Sequence, residues 1–221
     1  MEETINTNIP AEMPRNKEIR RAAKATLSGR WLNPVICTLV YLLITGVCSA
    51  FTSYKGLPAS TNALLAIIGF ALTMLIVVPL GFGYSVAFLR HVRGEDVDSL
   101  VTRPFDAFKD YGRYLGTGLL MSLFVFLWSL LLIVPGIIKG YSYAMTPYIM
   151  HDHPELSADE CIDKSKDMMY GYKWKLFCLD LSFIGWILLS ILTIGILFLW
   201  IAPWLECSHV KFYEELKARK A

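Results

Sequence analysis

Residues 114–138 read YLGTGLLMSLFVFLWSLLLIVPGII, a run without a single Asp, Glu, Lys or Arg. A helix of ~20 such residues crosses the ~30 Å hydrocarbon layer of a bilayer. Three further blocks, at 31–54, 56–89 and 181–205, are equally free of those four residue types. The chain is 55% hydrophobic and 18% charged, whereas a soluble domain has roughly 45–50% apolar and ~25% charged residues. Inside a bilayer the backbone must satisfy its own hydrogen bonds, and long uninterrupted apolar runs do so as helices. The expected fold is therefore all-α, a polytopic membrane helical bundle. A formal net charge of +2 argues against nucleic acid as a partner.

The charges sit between the blocks. Residues 1–30 carry six Lys/Arg, 90–113 carry five, 151–175 carry four and 206–221 carry four; only Lys55 and Lys139 lie elsewhere. Cytoplasmic flanks hold the excess of Lys and Arg, so all four basic stretches are expected on the cytoplasmic side, with both termini there. An even number of crossings must then separate each neighbouring pair. The simplest solution is six spans in three hairpins, at about 31–51, 61–89, 114–134, 137–151, 174–193 and 196–213. They form one integral membrane domain over 15–216, between a polar, disordered N-terminus at 1–14 and a basic tail at 217–221. The rival is four spans, with 135–151 re-entrant and 176–205 a single helix of ~45 Å, too long to cross without heavy tilt.

The N-terminus is polar through Arg30, so the first block reads as a retained span rather than a signal peptide. The five cysteines are odd in number and form no CxxC pair, which suits small packing residues and not disulfides.

The hairpin turns are expected at Pro135-Gly136 and near Gly195, and Pro79 with Gly81 and Gly83 predicts a kink in the second span. Three cytoplasmic lead-ins resemble one another: Gly29-Arg30-Trp31, Gly112-Arg113-Tyr114 and Gly171-Tyr172-Lys173-Trp174. In each, glycine ends a helix and an aromatic such as Trp174 anchors at the headgroups. An offset of 59 relates Tyr111 to Tyr170, Gly112 to Gly171, Phe124 to Phe183 and Gly136 to Gly195. We therefore expect three pseudo-repeats, each an amphipathic interfacial helix followed by a membrane hairpin. The third lead-in is best formed. Ser157 and Glu160 make a capping box, and Cys161, Ile162, Ser165, Met168 and Met169 follow the helical period.

Within the spans, Asp180 and Glu206 stand out, because charge in a bilayer is costly and faces a bundle interior or water. In the six-span threading both fall in the cytoplasmic half of adjacent helices. They form either a polar, proton-linked pocket or structural acids paired with Lys173, Lys175, His209 or Lys211. The latter is preferred. Tyr141, Tyr143 and Tyr148 read as packing and interface anchors. His151-Asp152-His153-Pro154-Glu155 reads as a hydrophilic linker, since two His at i, i+2 share no helix face and no second cluster completes a metal site. No metal or cofactor is expected, and no phosphate loop, nucleophile elbow or HExxH motif is present, which argues against an enzyme.

The stretch Trp128-Ser-Leu-Leu-Leu-Ile-Val-Pro-Gly-Ile-Ile-Lys139, with Tyr141-Ser-Tyr-Ala-Met-Thr-Pro-Tyr148, Gly171-Tyr-Lys-Trp-Lys-Leu-Phe177, Asp180-Leu-Ser-Phe-Ile-Gly-Trp186 and Phe212-Tyr-Glu-Glu-Leu216, resembles the bacterial membrane-protein family catalogued as domain of unknown function 975. The Pro-Gly turn and the Gly-x-x-Trp lead-in are also similar to the membrane region attached to some glycerophosphodiester phosphodiesterases, whose catalytic domain has no counterpart in this sequence. The resemblance implies a multi-pass protein of a bacterial, Gram-positive plasma membrane. It implies no activity and no site residues. The expected function is a non-enzymatic membrane module, embedded in the lipid bilayer, that binds a membrane or cytoplasmic protein partner or lipid through its cytoplasmic amphipathic helices. The alternatives are a small transporter or channel component using Asp180 and Glu206 and, third, a lipid-acting membrane enzyme.

Overall fold

The computed structural model describes residues 12–50, 59–95 and 99–220. Among them the chain is helical, with no strand. The first helices are α1 (Asn16–Leu27), α2 (Leu32–Ala50), α3 (Ala59–Leu72) and α4 (Val78–Arg93). They are followed by α5 (Tyr111–Leu131), α6 (Ile133–Tyr143), α7 (Thr146–Asp152) and α8 (Ala158–Met168), and then by α9 (Lys173–Leu181), α10 (Ile184–Leu192) and α11 (Phe198–Lys220). Four helical stretches are long and apolar enough to cross a membrane: Leu32–Ala50, Ser60–Arg93, Tyr111–Leu130 and Lys173–Leu192. The limb expected at 137–151 is divided between α6 and α7, and the limb at 196–213 falls in α11 from Phe198 onward. In space α6 packs back along α5 and α10 against α11.

Pro79 distorts the second stretch as its chemistry requires. A proline has no N–H, so the carbonyl four residues earlier loses its helical partner. Here that carbonyl belongs to Leu75. The helix widens to a π-turn over Thr73–Val77, and the Tyr111 hydroxyl donates to the Leu75 oxygen at 2.9 Å.

One hairpin turn and one lead-in glycine differ from expectation. The α5–α6 break falls at Leu132, which is extended (φ −162°), so Pro135 and Gly136 lie inside α6. Gly136 is used for contact: a Cβ on it would come within 2.0 Å of Ser129 Oγ. The other hairpin turns where expected, with Ile194 (φ 54°) and Gly195 (φ 81°) both left-handed. Gly29 (φ 78°) and Gly171 (φ 84°) end their lead-ins in the left-handed conformation. Gly112 does not, because the 3-10 helix Arg103–Phe108 turns the chain early and α5 begins at Tyr111. The backbone therefore differs at both glycine pairs of the offset-59 repeat.

The lead-in helices spend their apolar faces on the protein itself. Ile19, Ala23 and Leu27 of α1 are buried, and α1 packs along α11. The Ser157 cap forms, with the Ser157 amide donating to Glu160 Oε2 at 2.7 Å and the Glu160 amide donating to Ser157 Oγ at 3.4 Å. Cys161, Ile162, Ser165, Met168 and Met169 are likewise buried, with α8 against α5, α6 and α7. The core lies toward the charged ends of the helices, around Phe88, Leu89, Ile149, Met150, Val210, Phe212 and Leu216. The outer faces of the apolar helices stay open, as at Val47, Phe70, Phe126 and Leu130. Both ends of the chain's charged rim are tied down. Lys175 Nζ donates to the Met13 carbonyl at 2.6 Å, and the basic stretch expected as a tail continues α11 to Lys220. Residues 1–11, which include most of the expected polar N-terminus, and 221 lie outside the described residues.

Candidate functional site

Asp180 stands in the last turn of α9, and Glu206 and His209 lie at i, i+3 on one face of α11. Tyr141 near the end of α6 and Tyr148 in α7 complete the group. Asp180 is bonded twice, accepting from the Tyr141 hydroxyl at 2.9 Å and lying 2.6 Å from His209 Nε2. Glu206 accepts from the Tyr148 hydroxyl at 2.9 Å. The two acids thus use the same device, a phenol facing a carboxylate, from residues seven apart. Among the described residues no lysine is ion-paired to either acid.

Their surroundings differ. Asp180 and His209 line an open groove of about 430 Å³ with Tyr141, Ser129, Gly136 and Gly140. A Cβ at Gly140 would meet nothing within 4 Å, so the groove is left wide by glycine. Glu206 is absent from that lining. Tyr148 is 2% exposed and its ring lies 5.1 Å from that of Tyr213. A carboxylate held against an imidazole and a phenol can accept or relay a proton.

The expected anchors are placed as follows. Trp174 is 72% exposed and stacks on Phe177 at 5.1 Å, beside an apolar groove that also holds Ile137 and Lys173. Gly171 is the turn between α8 and α9. The α9–α10 break is capped from a distance, since Arg20 donates to the Ser182 carbonyl at 2.6 Å and packs over the Phe183 ring. The Trp204 indole donates to the Arg20 carbonyl at 2.9 Å.

Asp152 is not part of the solvated linker that the composition of its segment suggests. Asp152 ends α7 and its side chain is 6% exposed. Arg93 grips it bidentately, at 2.6 and 2.8 Å, Lys217 reaches it at 2.6 Å and the Tyr213 hydroxyl donates to it at 2.8 Å. Arg93 also pairs with Glu214. This clasp joins α4, α7 and α11. Burial by itself would raise the Asp152 pKa, but the hydrogen bonds from Arg93, Lys217 and Tyr213 outweigh it and hold the carboxyl well below the usual carboxylate range. The neighbouring His151 turns toward Arg90 and His153 toward Glu155 and Lys164. Among the described residues no three metal-ligating side chains converge.

The family model described as "Protein of unknown function (DUF975)" matches residues 13–140 and 130–220. The chain belongs to this family. The match takes in α1 through α11 together with the Asp180 and Asp152 clusters. No curated protein matches the chain, and no solved structure does.

Proposed function

We propose that the chain is a six-span module of a bacterial plasma membrane, with both termini cytoplasmic, that binds lipid and a protein partner and catalyses no reaction. The observation that carries this is the internal pairing of Asp180 and Glu206. Each acid is met by donors of its own chain, which is what structural acids need in a bilayer. The outward sides of the lead-in helices remain for binding. On α1, Lys17, Arg21 and Lys24 are exposed, which suits anionic headgroups. On α8, Asp159, Glu160, Asp163 and Asp167 are exposed, which suits a basic surface on a cytoplasmic protein. Partner contact is thus assigned to the polar sides of these helices, since their apolar sides are filled.

Threading is tested with a membrane-impermeant thiol reagent on Leu132→Cys and Ile194→Cys in a background without other cysteines. Labelling of both from outside intact cells is expected, and protection of both would replace six spans by four. Proximity labelling from α8 tests the partner, and enrichment of no cytoplasmic protein at native expression would remove it.

A proton-linked transport reading has one observation in its favour, the opening of the Asp180–His209 pair to the 430 Å³ groove. Reconstituted protein should show no solute or proton flux that Asp180→Asn abolishes; such a flux would promote transport over binding.

A further inference from the structure

A second cavity, of about 290 Å³, lies where α4, α5 and the end of α7 meet the 3-10 helix Arg103–Phe108. Six of its thirteen lining residues are charged. The cations are Arg90, Arg103, Lys109 and Arg113, and the acids are Asp106 and Asp110. Asp106 is already shared, with Arg103 at 3.0 Å and Lys109 at 2.7 Å. That leaves Arg90, Arg113 and Asp110, and Asp110 makes no ion pair among the described residues.

Both arginines keep donors that no protein group among the described residues accepts. Arg113 directs Nη2 to the carbonyls of His153 and Leu156, at 2.9 and 3.0 Å, which fixes the guanidinium plane. Its Nε and Nη1 have no protein acceptor among the described residues. Arg90 makes one long contact, Nε to His151 Nε2 at 3.4 Å, and both of its terminal nitrogens are without an acceptor among those residues. Two guanidinium groups in one recess repel each other, and an anion between them relieves the repulsion. Guanidinium forks match the oxygens of a phosphate bidentately. The recess is built by close approach, because the Pro104 carbonyl would lie 2.0 Å from a Cβ on Gly83. Beside it runs an aromatic row, Phe105, Phe108 and Tyr111, with successive centroids 6.5 and 6.0 Å apart; such residues concentrate at headgroup depth.

We infer that this cavity binds a phosphate ester, with Arg90 and Arg113 as its ligands. The phosphate comes either from the headgroup of an anionic phospholipid or from a soluble phosphate compound. The inference draws on the membrane reading only in admitting the lipid source. A binding assay in detergent is indifferent to span number, so the two stand or fall separately.

The test uses the full chain in neutral detergent. Retention of phosphatidylglycerol is read by native mass spectrometry, and the shift of the unfolding midpoint is read with added inorganic phosphate or glycerol 3-phosphate. Arg90→Gln is expected to weaken binding about tenfold, the size of one lost charge-assisted contact. Asp110→Asn is expected to tighten it by removing a like charge, and this arm decides the matter if Arg90→Gln does not fold. Retention of the lipid alone, lost in Arg90→Gln, assigns the site to a headgroup. A response to the soluble phosphates alone, lost in the same variant, assigns it to a free phosphate compound. Binding of neither probe, binding indifferent to Arg90, or weakening by Asp110→Asn overturns the inference.

Discussion

Around Asp152 the apolar and aromatic side chains are covered: Tyr148, Ile149, Val210, Phe212 and Tyr213 are 2% exposed or less. Along Tyr111–Leu130 only 11% of the span is buried, and Phe126 and Leu130 are 63% and 75% exposed. Both regions are rich in large apolar residues, so hydrophobicity does not separate them. What separates them is the solvent. The charged end is packed by exclusion from water and pinned by ion pairs. In a bilayer the apolar helices would face acyl chains as apolar as themselves, and would associate through close backbone approach and polar contacts between helices.

The sharpest way to break this comparison is Asp152→Ala. Arg93 and Lys217 would lose a shared buried acceptor, and the expected loss is ~3–5 kcal/mol of stability, read by unfolding of the purified protein in detergent. A loss under ~1 kcal/mol would mean that the charged end is not held by its clasp. Acid should act on the same point. The Asp152 carboxyl has a lower pKa in the folded protein than in the unfolded chain, so its contribution is full at neutral pH. It begins to decline below about pH 4, the ordinary aspartate value, and is lost as pH falls through the lowered folded value. Melting between pH 7 and pH 3 should therefore fall less steeply in Asp152→Ala than in the parent.

In the spans, the test is Gly136→Ala. Its Cβ would strike Ser129, and the expected cost is ~1–3 kcal/mol from forcing α5 and α6 apart. Adding Ser129→Gly should recover part of it, and a purely additive double-mutant cycle would argue that the two helices do not meet there. The smallest effect belongs to Leu130→Ala on the open face, expected within about 0.5 kcal/mol of the parent in detergent. A cost like that of a core leucine would show that another protein surface covers this face.

Much of the architecture was legible because membrane spans announce themselves by length and by missing charge. Pro79 was legible as a distortion, and Ser157 with Glu160 as a helix start, since both rules act within a few residues. The α5–α6 turn was placed too late because Pro-Gly reads as a turn, yet proline is also at home in the first turn of a helix, and here glycine serves contact. Asp180 was legible as unusual, and His209 was among its expected partners. Asp152 was not, since His-Asp-His-Pro-Glu has the composition of a solvated linker. Its partners lie 59 to 65 positions away in the chain.

The amino-acid order by itself settled that this chain is a set of apolar helices separated by charged segments, because a bilayer's demand for ~20 uncharged residues is met locally, block by block. Tertiary structure decided which charges are buried and which are free. Arg93 and Arg90 are three residues apart on one helix; the first is saturated by Asp152 and Glu214, and the second faces a cavity with its terminal nitrogens unclaimed by the described residues. The energy of a charge depends on what stands within a few ångströms of it, and those neighbours are brought together by folding, not by chain order.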